Sequence, residues 1–349
     1  MLYIGKYIQV GRYKNGGVFG IGSKQALLSE PNEFENLVKI ASLWKTPADE
    51  DSVLEKARIL HPEISESEII KCISFLVKNN CVMEYEHFKG DDRYSRNSLY
   101  YNYMGANSKD VENKIANSSV TIIGCGGIGN HLSYLLATSG VGKITLVDND
   151  EIELSNLTRQ VLFTEDDVGK RKTEVLKREL LKRRNDITIE IIEKSINSED
   201  DLKSIPKSDI FIISADHPFE LINWVNNYCV NYSQPYINVG YINDISVVGP
   251  FFIPNITSCF KCTDVAPDYL KEDALSHFIR NINNDFKAAT FPGVNGVAAS
   301  YAFGDIIKFL GGFSDVLSKN KRIGIHSSTI KIEEQLMPKN PRCTVCSHQ

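Results

Sequence analysis

From Ser119 onward, short apolar runs alternate with segments of helical periodicity. SVTIIG, KITLVD, ITIEII, DIFIISAD and PYINVG have the length and β-branched content of buried strands. GIGNHLSYLLATSG, GKRKTEVLKRELLKRR and FELINWVNNYCV interleave with them as helices. This alternation predicts an α/β domain, a mostly parallel Rossmann-like sheet with crossover helices. A late apolar helix, VNGVAASYAFGDIIKFLGG, stops at paired glycines, and RIGIHSSTIKIEE reads as a terminal hairpin.

The first 90 residues pattern differently. YIGKYIQVGRY reads as a strand, EFENLVKIASLW and SESEIIKCISFLVKNN as helices, and CVMEYE as another strand, a set that suits a small winged-helix-like module. The stretch from Asp91 to Ser118 is polar and tyrosine-rich and reads as a linker feeding a helix. The expected organisation is therefore a small domain over 1–90, a linker over 91–118 and a large domain over 119–349, with the boundary near Gly90.

Composition narrows the function without naming it. No apolar run is long enough to span a bilayer, and the N-terminus places a charge inside its apolar stretch, so neither a membrane anchor nor a signal peptide is expected. A cytoplasmic location follows as the expectation. A formal net charge of -5 disfavours broad capture of nucleic acid and points to a small or peptidic partner.

The strongest motif is Gly124-Cys125-Gly126-Gly127-Ile128-Gly129, directly after the strand VTII and before a predicted helix. Glycines so placed allow a tight turn and a close approach of backbone to phosphate, which then meets the positive end of the helix. Asp148 closes the next strand, where a carboxylate can bind ribose hydroxyls. The fingerprint alone suits a nicotinamide or flavin dehydrogenase equally well. The residues that follow favour a triphosphate: Asp150, then Asn156, Arg159 and Gln160 within SNLTRQ, then Lys170-Arg171-Lys172.

Attack of a carboxylate on an α-phosphate builds charge on phosphoryl oxygens and expels pyrophosphate, and preorganised cations lower that barrier. Arg159 and Lys172 are the candidates, although a run of three cations is also what a solvated helix face looks like. Asp216, just past the strand DIFIIS, is the candidate Mg²⁺ ligand; the sequence Asp-His-Pro also suits an N-cap for a helix begun near Pro218.

Cys259-x-x-Cys262 and Cys343-x-x-Cys346 form two knuckles able to present four thiolates to one structural Zn²⁺. Such a closed site has no open coordination position, so its expected effect is to pin the C-terminal tail. Cys72, Cys81 and Cys229 fall on apolar patterns and are expected in cores, and Cys125 is assigned no nucleophilic part.

Arg93-Tyr94-Ser95-Arg96-Asn97 completes an ordered set, and with it the chain from about Arg93 to Cys346 resembles the ubiquitin-activating-enzyme-like (ThiF) family, whose bacterial members adenylate sulfur-carrier proteins. The resemblance implies a homodimer in which Arg96 reaches the partner's ATP. It also implies Asp148 on ribose, Asn156, Arg159 and Lys172 around the phosphates, and Asp216 on magnesium. Thioester-forming members carry a cysteine in the stretch before Val294. This chain has none between Cys262 and Val294, so the acyl-adenylate itself is the expected intermediate.

Through GGVFGIGSK, RYSRN, NLTRQVLF, SADHPF, LINWVN and QPYINVGY, the chain is similar to the branch of the family that makes microcin C-type antibiotics. That similarity implies a short ribosomal precursor peptide held by an N-terminal clamp. Its C-terminal asparagine is adenylated, closes to a succinimide and is joined to AMP through a nitrogen–phosphorus bond. Pantocin-type activation of a glutamate side chain, and adenylation of a ubiquitin-like sulfur carrier, are the alternatives the same motifs would serve.

Overall fold

The computed structural model describes residues 1–20, 22–84, 92–263, 275, 278–279, 281 and 288–347. The chain forms two compact units, Met1–Asn113 and Lys114–Gln349. The boundary expected near Gly90 lies outside the described residues.

The first unit runs β1 (Leu2–Ile4), β2 (Val10–Tyr13), β3 (Gly16–Phe19), β4 (Ala26–Leu28), α1 (Pro31–Ser42), α2 (Glu50–Leu60), α3 (Glu66–Lys78), β5 (Val82–Glu84) and α4 (Ser95–Tyr103). A further helix, α5 (Ser108–Ala116), crosses into the second unit. The single strand expected over YIGKYIQVGRY is in fact two. β1 pairs with β5, whereas β2 joins β3 and β4 in a separate antiparallel sheet.

Apolar residues at i, i+3, i+4 and i+7 give α3 a buried stripe of Ile69, Cys72, Ile73 and Leu76. That stripe shares a core with Phe34, Leu37 and Ile40 of α1 and with Trp44, whose indole N–H donates to the carbonyl of Ala48 at 3.2 Å. The N-terminus of α3 is fixed by a capping box of Ser65 and Glu68. Cys72 and Cys81 lie in this core as expected, and burial pushes both thiols up to about 11.

The second unit holds an eight-stranded mixed sheet. Its strands are β6 (Ser119–Ile123), β7 (Lys143–Val147), β8 (Thr188–Ile192), β9 (Ile210–Ile213), β10 (Tyr236–Ile242), β11 (Ile245–Phe252), β12 (Lys321–His326) and β13 (Ile332–Leu336), in spatial order 13-12-11-10-9-6-7-8. From β10 to β8 all pairs are parallel; from β10 to β13 they are antiparallel. β9 is buried at all four positions, as a central strand covered on both faces must be. The connecting helices are α6 (Gly127–Thr138), α7 (Lys172–Arg183), α8 (Leu221–Asn231) and α9 (Pro292–Gly311). Among the described residues no helix is long and apolar enough to cross a membrane.

The first strand of the unit, β6, sits between β7 and β9, so the chain winds outward from it in both directions. At such a switch point the loops leaving neighbouring strand ends diverge and leave a crevice.

Candidate nucleotide site and cysteine cluster

Three strand ends deliver the crevice. β6 leads into the glycine loop, β7 into Asp148 and β9 into Ser214-Ala215-Asp216. They wall a cleft of about 860 Å³ that is also lined by Asp150, Asn156, Arg159, Gln160, Lys172 and Asn295.

Two glycines of the loop are sterically obligatory. Gly124 has φ +97, and a Cβ there would stand 2.6 Å from the backbone nitrogen of Ala215. A Cβ on Gly129 would lie 1.9 Å from the carbonyl oxygen of Gly124, so this glycine lets α6 pack against the turn. A Cβ on Gly126 would meet nothing within 4 Å, and Gly127 packs beside Asn295. Gly126 is also the N-cap of α6 and supplies no side chain, which leaves the first N–H groups of the helix to an anion.

Asp148 ties the site together. One carboxylate oxygen accepts the Cys125 N–H at 2.6 Å and the other the Asp150 N–H at 2.8 Å. Burial outweighs these donors and nearby Lys172 and holds the carboxyl above its ordinary range. Lys172, the first residue of α7, is 7% exposed and donates to Asp150 Oδ2 at 2.6 Å. The solvated-face alternative therefore fails for Lys172. It describes Lys170, which is exposed beside Asp167.

Asn156 closes a short 3-10 turn, with Oδ1 accepting the Glu153 N–H at 3.2 Å. That turn sets Arg159, whose Nη1 donates to the Ser155 carbonyl at 3.0 Å. Gln160 is buried, and its Oε1 has no hydrogen-bond partner. Asp216 is exposed. It does not cap α8, which begins at Leu221 with Glu220 at the N-cap, so the capping alternative is corrected. Arg96 stands exposed on α4 of the first unit, whereas the other named residues lie in the second.

Sequence reasoning missed Asn295. It is buried at the start of α9, where its amide nitrogen donates to Thr290 Oγ1 and to the Phe291 carbonyl. Nothing in its local pattern, an apolar helix start, marks it as part of a cleft. Cys125 is fully buried, and burial first, then Asp148, pushes its thiol far above the ordinary range, so it is no nucleophile.

A second cavity of about 630 Å³ adjoins the cleft. Ile128, Ser214, Asp216 and Tyr241 line both, and Asn223, Phe260 and Arg322 line only the second.

The two cysteine knuckles converge. Cys259, Cys262, Cys343 and Cys346 are buried with their sulfurs all within 4.8 Å of one another. The separations of 3.3, 3.7 and 4.0 Å bracket the ~3.8 Å edge of a tetrahedron with Zn–S bonds of about 2.3 Å. This donor set fits a structural zinc.

Residues 94–345 match the ThiF family. The chain belongs to the ThiF family. Among solved ThiF-fold structures, E. coli MccB with MccA-N7isoASN aligns at a TM-score of 0.93 and 49% identity over 99% of each chain. E. coli MccB with ATP gives 0.91 and 48% over 99% of each. The sulfur carrier protein ThiS adenylyltransferase of Escherichia coli K12 is 31% identical over 173 residues, 49% of this chain and 66% of that protein. PaaA, at 18% identity and a TM-score of 0.70, shares the fold alone.

Proposed function

We propose that this ThiF-family adenylyltransferase activates the C-terminal asparagine of a short ribosomal peptide with ATP and, through a succinimide, joins it to AMP by a nitrogen–phosphorus bond. The observation that carries this reading is the likeness to E. coli MccB over both units, in structures that hold ATP, the peptide MccA or a succinimide.

The chemistry suits the residues. A terminal carboxylate oxygen attacks the α-phosphorus of ATP and pyrophosphate leaves. The side-chain amide nitrogen then attacks the acyl carbon, loses a proton and expels AMP, which closes the five-membered imide. The imide nitrogen attacks a second ATP, pyrophosphate leaves again, and water opens the ring. Both phosphoryl steps place charge beside Arg159 and Lys172, and one set of cations serves each in turn. Ring closure needs orientation rather than a protein nucleophile.

In this reading Asp148 binds the ribose and Asp216 holds Mg²⁺, which neutralises phosphate charge. The four cysteines hold zinc, and two chains pair so that Arg96 of one serves the ATP of the other. The first unit clamps the peptide.

Mass spectrometry of asparagine-terminated peptides incubated with the enzyme, Mg²⁺ and ATP tests the proposal. A peptide gaining AMP, with two pyrophosphates released per product, is expected. Dehydrated peptide without nucleotide removes the second transfer, and pyrophosphate release only with a sulfur-carrier protein or a glutamate-containing peptide redirects the substrate.

A further inference from the structure

None of the described residues of the motif GGVFGIGSK lines the nucleotide cleft, yet the end of the motif has a definite structural partner. Gly22–Lys24 form a short 3-10 turn between β3 and β4, and this turn closes on Tyr103, the last residue of α4. The Tyr103 hydroxyl accepts the Lys24 N–H at 3.0 Å and lies 3.1 Å from Ser23 Oγ. Lys24 Nζ donates to the Tyr103 carbonyl and stands 5.0 Å from the centroid of the Tyr103 ring. Carbonyls in the last turn of a helix have no intrahelical donor, so this lysine caps α4 from outside it. Gly22 has φ +79, and a Cβ there would stand 3.2 Å from the Tyr103 hydroxyl oxygen. Tyr7 packs edge-on against the Tyr103 ring at 5.7 Å, and its own hydroxyl donates to the Asn80 carbonyl at 2.7 Å.

The other end of α4 carries Arg96, about 10 Å from Tyr103 along the axis at ~1.5 Å per residue. Between the two, Ser98 Oγ donates to the Glu112 carboxylate of α5, and Ser98, Tyr101 and Asn102 are buried. α4 is therefore a short rod gripped at one end by the turn and exposing its arginine at the other. A tilt of about 10° at Tyr103 moves the Arg96 backbone by about 2 Å. A misplacement of about 1 Å in a group that serves the transition state can cost about 100-fold in rate.

We propose that the Gly22–Lys24 turn, acting through Tyr103, sets the position of Arg96 and so controls phosphoryl transfer in the partner's site. This rests on the trans reading of Arg96 given above and adds to it the residues that aim the arginine. Lys24 and Tyr103 are positioning residues. The first unit then has two tasks, one toward the peptide and one toward the nucleotide of the other chain.

The test uses full-length chains in subunit-exchanged pairs with ATP, Mg²⁺ and an asparagine-terminated peptide, and follows pyrophosphate release. Arg96→Ala paired with Asp216→Ala is the reference, because one site in each mixed dimer is complete. Tyr103→Phe placed on the Asp216→Ala chain, which donates Arg96, is expected to lower kcat about 10-fold. Placed on the Arg96→Ala chain, it is expected to leave kcat and the peptide KM at the reference values. Lys24→Met behaves in the same way, Lys24→Arg restores most of the rate, and thermal unfolding checks that each variant is folded. A defect that follows the Arg96→Ala chain, or a raised peptide KM with kcat unchanged, makes the turn a peptide-binding element of its own chain and overturns the assignment. Equal rates in the two placements overturn it as well. No recovery in the reference pair removes the trans reading itself, and the assignment with it.

Discussion

Lys170, Arg171 and Lys172 are three adjacent cations that the fold treats in three ways. Lys170 is exposed beside Asp167, Arg171 donates to the carbonyl of Asn149, and Lys172 is buried in the cleft against Asp150. The letters cannot separate them, because the difference arises from where α7 begins relative to the end of β7. Asp216 and Cys125 are told apart by exposure in the same way. Asp216→Ala is expected to lower adenylation at least about 100-fold through loss of metal-assisted charge neutralisation, with the unfolding transition unchanged. Cys125→Ala is expected to keep turnover and to lose about 1 kcal/mol of stability. Steady-state kinetics with thermal unfolding checks both; loss of activity in Cys125→Ala would return thiol chemistry to the site.

At the scale of elements, the strands and helices around the nucleotide cleft were legible because their apolar runs are buried on both faces and their loops carry glycine. Those that escaped reading have physical reasons. β11 contains Gly249-Pro250, and proline removes a ladder donor, so the run reads as an interruption. The structure absorbs it where the β10–β11 register shifts and after the β11–β12 pairing has ended at Val248. α2 buries only Val53 and Ala57, too little for a periodic signal. The cysteine knuckles were legible by spacing, and their convergence needed the fold. Purified protein is expected to hold about one Zn²⁺ per chain, and chelation to lower the unfolding midpoint by about 10 °C as several kcal/mol of ligation is lost. Metal analysis and calorimetry check this; unchelated protein free of zinc would leave the cluster as four buried thiols.

For the whole molecule, composition excluded little and the ordered motifs decided the family, but neither reveals which side chains meet across two chains. Arg96 illustrates the gap: it is exposed on α4, and the part in catalysis proposed for it requires a second copy. Complementation makes this measurable. Arg96→Ala and Asp216→Ala are each expected to be inactive, while their mixed dimers regain up to about one quarter of wild-type activity, since half the dimers are mixed and one site in each is complete. No recovery after subunit exchange would place Arg96 in its own chain's site or outside catalysis.

The cysteine pairs also alter the connectivity of the chain. Cys259 and Cys343 are 84 positions apart, and α9 and the β12–β13 hairpin lie between them. With a metal joining the pairs, that stretch is a closed ring, and one cut within it opens the ring without releasing either fragment. Closing a ring of this length removes about 4.6 kcal/mol of chain entropy from the unfolded state. β12, which borders the second cavity, thus stays tethered to the sheet through a joint that a protease cannot undo with a single cleavage.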